Sequence, residues 1–93
     1  LGLIAHRTGD YRQALDHYHQ ALTLYRALGH AYEAANTLDG LGHPHAALGQ
    51  LDQTRMVWSE ALELYREQGR EDDAARVRRQ LDDLALEPKS NRC

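Results

Sequence analysis

Residues 40–49 read GLGHPHAALG and bring a Gly-x-Gly pair, two histidines and a proline into one short stretch. Glycines that cradle phosphate stand between a strand and a helix, where free backbone N–H groups meet the anion. Here the preceding AANTLDGLG already has helical periodicity, so the context for nucleotide binding is missing. His43 and His45 are two positions apart. A helix turns such a pair about 200° from each other, so they cannot share a metal ion. His17 and His19 fail for the same reason, and none of the six histidines are spaced three or four apart. No metal and no cofactor is expected. His45 is expected to pack inward and donate a hydrogen bond.

Nucleophilic chemistry has no better support. Ser59 and Ser90 lack a glycine elbow and a patterned base, and Cys93 sits at the last position with no helix dipole to activate it. No enzyme activity is expected, because nothing converges into a pocket. The run ARVRRQ offers Arg76, Arg78 and Arg79, with Arg70 upstream. Glu71, Asp72, Asp73, Asp82 and Asp83 surround them. That mixture implies a solvated helix with i,i+4 pairs, for example Asp72 with Arg76, rather than direct nucleic-acid binding. The formal net charge of −3 agrees.

The elements that must position these residues follow from composition and repetition. The 93 residues suit one small domain rich in Ala, Leu, Gln, Arg, Asp and Glu, with no Phe and two prolines. Such residues lose least on entering a helix. No apolar run is long enough to span a bilayer, and no signal-peptide pattern is present. A single cysteine allows no internal disulfide. A cytoplasmic setting is expected. The chain begins with Leu1 inside a helical pattern, as a fragment of a longer protein would.

Shifted by 40 residues, the chain matches itself. Leu1-Gly2 falls on Leu41-Gly42, Gly9 on Gly49, Gln13 on Gln53, and Ala21-Leu22 on Ala61-Leu62. Leu24-Tyr25-Arg26 falls on Leu64-Tyr65-Arg66, and Gly29 on Gly69. The spacing predicts helices over about 1–8, 11–28, 30–48, 51–68 and 71–86, with short connections that make neighbours antiparallel. Asp10 is the expected N-cap of the second helix, with Gln13 as its capping-box partner. Gly9 and Gly29 suit the left-handed position just past a helix end, and Gly69 stops the fourth helix. Pro44 falls inside the third helix, where it removes one backbone bond at the carbonyl of Gly40. A kink is expected there rather than a break, because the apolar stripe keeps its phase. Arg78 stands where Leu38 stood and Asp82 where Gly42 stood, so the last helix reads as a polar cap. Residues 87–93, with Pro88, read as a disordered tail or linker.

LG…GDYRQALDHYHQAL and LG…LGQLDQTRMVWSEAL resemble the tetratricopeptide repeat. The first matches at Leu1, Gly2, Gly9, Tyr11, Ala14, Tyr18 and Ala21; the second at Leu41, Gly42, Gly49, Leu51, Trp58 and Ala61, departing at Thr54, where a small Ala belongs. The resemblance implies an all-α fold over residues 1–86: a TPR-like antiparallel helix-pair solenoid, a right-handed superhelix of about two repeats with a C-terminal capping helix. It also implies a protein- or peptide-binding scaffold. The first helix of each pair would line its concave face: Leu3, His6 and Arg7; then Asn36, Asp39, His43 and Ala46; then Arg76, Arg79 and Asp83. The family's usual unit is about 34 residues. The 40-residue period is similar to the repeat arrays of bacterial signal-transduction ATPases and transcription regulators, and to kinesin-light-chain and peptide-sensor arrays. The alternative is an oligomerisation module that self-associates through an unprotected face near Leu1, Ile4, Tyr11 and Leu15. Neither reading involves nucleic acid or a membrane.

Overall fold

A computed structural model describes the backbone of residues 3–85 and the side chains of residues 10–84. The described residues form four α-helices and no strand: α1 (Leu3–Leu28), α2 (Ala31–Ala47), α3 (Leu51–Glu67) and α4 (Glu71–Ala85). Each helix packs on the next in sequence. Two-to-three-residue connections of this kind turn neighbours antiparallel.

Every connection is built the same way. Gly29, Gly49 and Gly69 take φ of 74°, 78° and 71°, a left-handed conformation that costs a residue with a Cβ about 1–2 kcal/mol. His30 N–H donates to the carbonyl of Tyr25 and Gly29 N–H to that of Arg26, which closes the helix end in a Schellman motif. Arg70 and Gly69 repeat both bonds to Tyr65 and Arg66, and Gln50 and Gly49 repeat them to His45 and Ala46. The motif therefore recurs every 20 residues, and the Tyr25 and Tyr65 carbonyls that accept in it stand one 40-residue period apart. It also extends to side chains: the His30 ring stacks on Tyr25 at 6.2 Å, and the Arg70 guanidinium lies 4.4 Å from the Tyr65 ring centre.

Two expectations need correction at the N-terminal end. From Leu3 onward the two helices expected over 1–8 and 11–28 are one, and α1 runs unbroken through Gly9 and Asp10. Asp10 therefore caps nothing. Glycine inside a helix costs only about 1 kcal/mol, whereas a separate eight-residue helix would be marginal without something to pack against. The other helix ends fall within a residue or two of expectation. Pro44 lies inside α2, buried, and α2 does not break there.

The core is a band along α2 and α3 with one side of α4. Leu38, Leu41, Tyr65, Val77 and Thr54 are the largest completely buried side chains. Each buried Leu of this kind contributes about 2 kcal/mol by leaving water. Thr54, standing where the repeat pattern has Ala, is accommodated because its hydroxyl donates to the carbonyl of Gln50 at 3.0 Å. Leu28, the last residue of α1, is exposed.

Glycines set how closely the helices approach. A Cβ on Gly42 would lie 1.9 Å from Nε1 of Trp58, and one on Gly40 would lie 2.8 Å from the ring of Tyr18. Trp58 fills the space left by Gly42. Tyr18 fills the space left by Gly40, two positions away in the same helix.

Candidate functional site

Helical spacing places Asn36, Asp39, His43 and Ala46 along one face of α2, and Arg76, Gln80 and Asp83 along one face of α4. Leu51, Trp58 and Tyr65 of α3 recur every seven residues, or about two turns, and lie beneath both rows. The result is a groove with a polar half and an apolar half.

The polar half is a closed network. Oδ2 of Asp39 accepts from the Tyr65 hydroxyl at 3.0 Å and from Nη1 of Arg76 at 2.7 Å. Nη2 of Arg76 donates to Oδ1 of Asp73 at 2.9 Å, and Nε of Arg70 donates to Oδ2 of Asp73 at 3.0 Å. Nη2 of Arg70 reaches Oδ1 of Asn36 at 2.6 Å, and its guanidinium lies 3.8 Å from the Tyr32 ring centre. Arg76 therefore pairs with Asp39 and Asp73, not with Asp72 as the i,i+4 spacing implied.

The charges respond to this arrangement. Burial, reinforced by the Asp39 carboxylate, pushes the Tyr65 phenol up to about 12. The hydrogen bond from Arg76 holds the Asp73 carboxyl below its ordinary range. The bond to Asp39, helped by that to Asp73, raises Arg76 further and keeps it charged. Oδ1 of Asp39 is buried and accepts no hydrogen bond within the protein.

The apolar half is a cleft of about 270 Å3 lined by Ala46, Leu51, Trp58, Gln80, Asp83 and Leu84. Nε1 of Trp58 donates to the Asp39 carbonyl at 2.9 Å, and the exposed His43 ring meets the Trp58 ring edge-on at 5.4 Å. Oε1 of Gln80 is a second buried acceptor without a partner.

The groove thus gathers Asn36, Asp39, His43, Ala46, Arg76 and Asp83 from the expected set. Asn36 accepts from Arg70 and Tyr65, and Arg76 donates to Asp39 and Asp73, so neither is free for a ligand. Arg79 belongs elsewhere: it lines a different cleft with Arg66, Ala75 and Arg78. The side chains of Leu3, His6 and Arg7 lie outside the described residues. The sequence reading missed Leu51, Trp58, Gln80 and Leu84 as cleft-lining residues. The seven-residue spacing of 51, 58 and 65 was the available signal for the floor. Gln80, one turn beyond Arg76, was the signal for the wall.

His45 packs as expected. It is buried, its Nδ1 lies 2.7 Å from Oε1 of Gln50, and its ring meets that of His19 edge-on. Since Oε1 accepts, Nδ1 is the donor. His43 is exposed on the other side of α2, as the two-residue spacing requires. Among the described residues no three His, Cys, Asp or Glu side chains come together as a metal site. No helix among them is long and apolar enough to cross a membrane. Compared with known proteins, the chain matches no family description, no curated protein and no solved structure.

Proposed function

We propose that the chain is a protein- or peptide-binding scaffold whose ligand lies in the groove between α2 and α4. The observation that carries this reading is the cleft of about 270 Å3 with an indole floor, lined by Ala46, Leu51, Trp58, Gln80, Asp83 and Leu84. The apolar lining supplies the area, and Asp83 at the rim favours a ligand with a positive group. The pairing of Asn36 with Arg70 and of Asp39 with Arg76 ties this wall together. The repeated helix ends and the 40-residue period support a TPR-like right-handed solenoid, and the resemblance of that period supports the repeat region of a larger bacterial transcription regulator or signal-transduction ATPase.

Peptides selected from a displayed library against the chain test the groove. Ala46→Gln fills the cleft from a position that is only half-buried. It should abolish binding of the selected peptides while the circular dichroism stays unchanged. Retained affinity would assign those peptides to another surface.

The second reading, self-association, is favoured by one observation. Leu24 and Leu28, one turn apart on α1, are 56% and 57% exposed. This moves the unprotected face away from Tyr11 and Leu15, which are half-buried. Sedimentation over a concentration series separates the readings: a monomer throughout removes the oligomer, and an oligomer dispersed by Leu24→Glu with Leu28→Glu supports it.

A further inference from the structure

Arg66, in the last turn of α3, and Arg78 and Arg79 on α4 surround one shallow cleft of about 380 Å3. Ala74, Ala75 and Asp82 complete its lining. None of the three guanidinium groups has a carboxylate partner among the described residues. Arg26, Arg55, Arg70 and Arg76 each have one. The positions one period earlier explain the shape of this face. Ala35, Leu38 and Gly42 are buried, and Gly42 receives Trp58 of α3. Their counterparts Ala75, Arg78 and Asp82 are exposed. A face with the geometry of a helix contact has therefore kept a small residue and replaced its apolar ridge with charge.

The geometry points to a second binding surface, distinct from the groove between α2 and α4, that takes an acidic segment of a polypeptide through its side-chain carboxylates. A guanidinium is a planar fork that matches a carboxylate with two parallel hydrogen bonds. Three such forks around an alanine floor let an extended segment come close. Asp82 leaves the cleft with an excess of positive charge, which an acidic segment neutralises. The surroundings select for a short ligand. The adjoining depression shares Arg66 but carries Glu60 and Glu63, and the first turn of α4 carries Glu71 and Asp72. A long polyanion such as nucleic acid runs onto these carboxylates and is repelled, whereas a segment with two or three acidic side chains touches only the arginines.

Fluorescence anisotropy of a labelled Glu-rich peptide titrated with the 93-residue chain tests this. The Glu peptide should bind, weaken as salt is added, and bind about tenfold more tightly than its Gln counterpart. Arg78→Gln with Arg79→Gln, both at exposed positions, should remove that preference without changing the circular dichroism. Ala46→Gln should leave it intact, so the groove and this surface fail separately. Equal affinity for the Glu and Gln peptides, no binding of either, or indifference to the double substitution would overturn the proposal. So would tighter binding of a single-stranded oligonucleotide of equal length, lost in the same variant, which would make the surface a nucleic-acid site.

Discussion

Trp58 occupies the space that a side chain on Gly42 would need: a Cβ at position 42 would lie 1.9 Å from the indole nitrogen. The same nitrogen donates to the carbonyl of Asp39. Gly42→Ala therefore pushes the ring out of its packing and breaks this bond. The expected cost is about 3 kcal/mol, from overpacking together with a lost buried hydrogen bond. Gly40→Ala first meets the ring and hydroxyl of Tyr18, which is half-buried and can move, and it gains helix propensity of about 1 kcal/mol. It should be close to neutral. Denaturant melts of the two variants check the contrast, and equal costs would refute the packing account.

Tyr65 should ionise late, near pH 12, in a spectrophotometric titration of the folded chain. Burial and the Asp39 carboxylate both disfavour its phenolate. The sign of the stability effect follows. The unfolded phenol ionises near its ordinary 10.0, so the stabilisation is present in full below that pH. It falls as the pH rises from there and is gone once the folded phenol has ionised near 12. Tyr65→Phe should abolish the late phase. A late phase that persists in this variant would belong to another tyrosine.

Acid should act on the other end of the network. Asp73 ionises below its ordinary 3.8, chiefly because of the Arg76 hydrogen bond. Its contribution is present above that value and is lost as the pH falls through the lowered folded value. Arg76→Gln should flatten the stability profile in this acid window. It should also lower stability near neutrality by about 1 kcal/mol, since the pair with Asp39 is partly solvated. A profile unchanged by the substitution would detach Asp73 from Arg76.

Pro44→Ala should stabilise the chain. The alanine N–H can bond to the Gly40 carbonyl and the ring no longer crowds the preceding turn, a gain of up to about 3 kcal/mol. Because Pro44 is buried, the lost ring packing offsets part of this, and about 1 kcal/mol should remain. A lower midpoint in a denaturant melt would mean that the ring is worth more to the packing than the hydrogen bond.

How much was legible in the sequence depended on the range of the interaction. The helix ends at Gly29 and Gly69 and the opposition of His43 and His45 were readable. Each depends on backbone chirality or on a fixed turn per residue, which neighbours along the chain supply. The break at Gly9 was misread for an energetic reason. A glycine permits a stop but compels one only when the segments on either side have somewhere to pack.

The amino-acid sequence by itself determined an all-helical chain, its 40-residue period, most helix boundaries and the rows of residues on each face. Only the tertiary structure decided which charges meet. Arg76 has Asp72, Asp73 and Asp39 to choose from; the approach of α2 brings Asp39 within 3 Å, and the guanidinium takes Asp73 of its own helix rather than Asp72. Arg70 is drawn across α2 to Asn36, while Arg79 turns to the outer cleft. Long flexible cations choose among carboxylates whose pairings differ by about 1 kcal/mol or less. Helix-to-helix register, set by Gly42 beneath Trp58 and Gly40 beneath Tyr18, settles that choice.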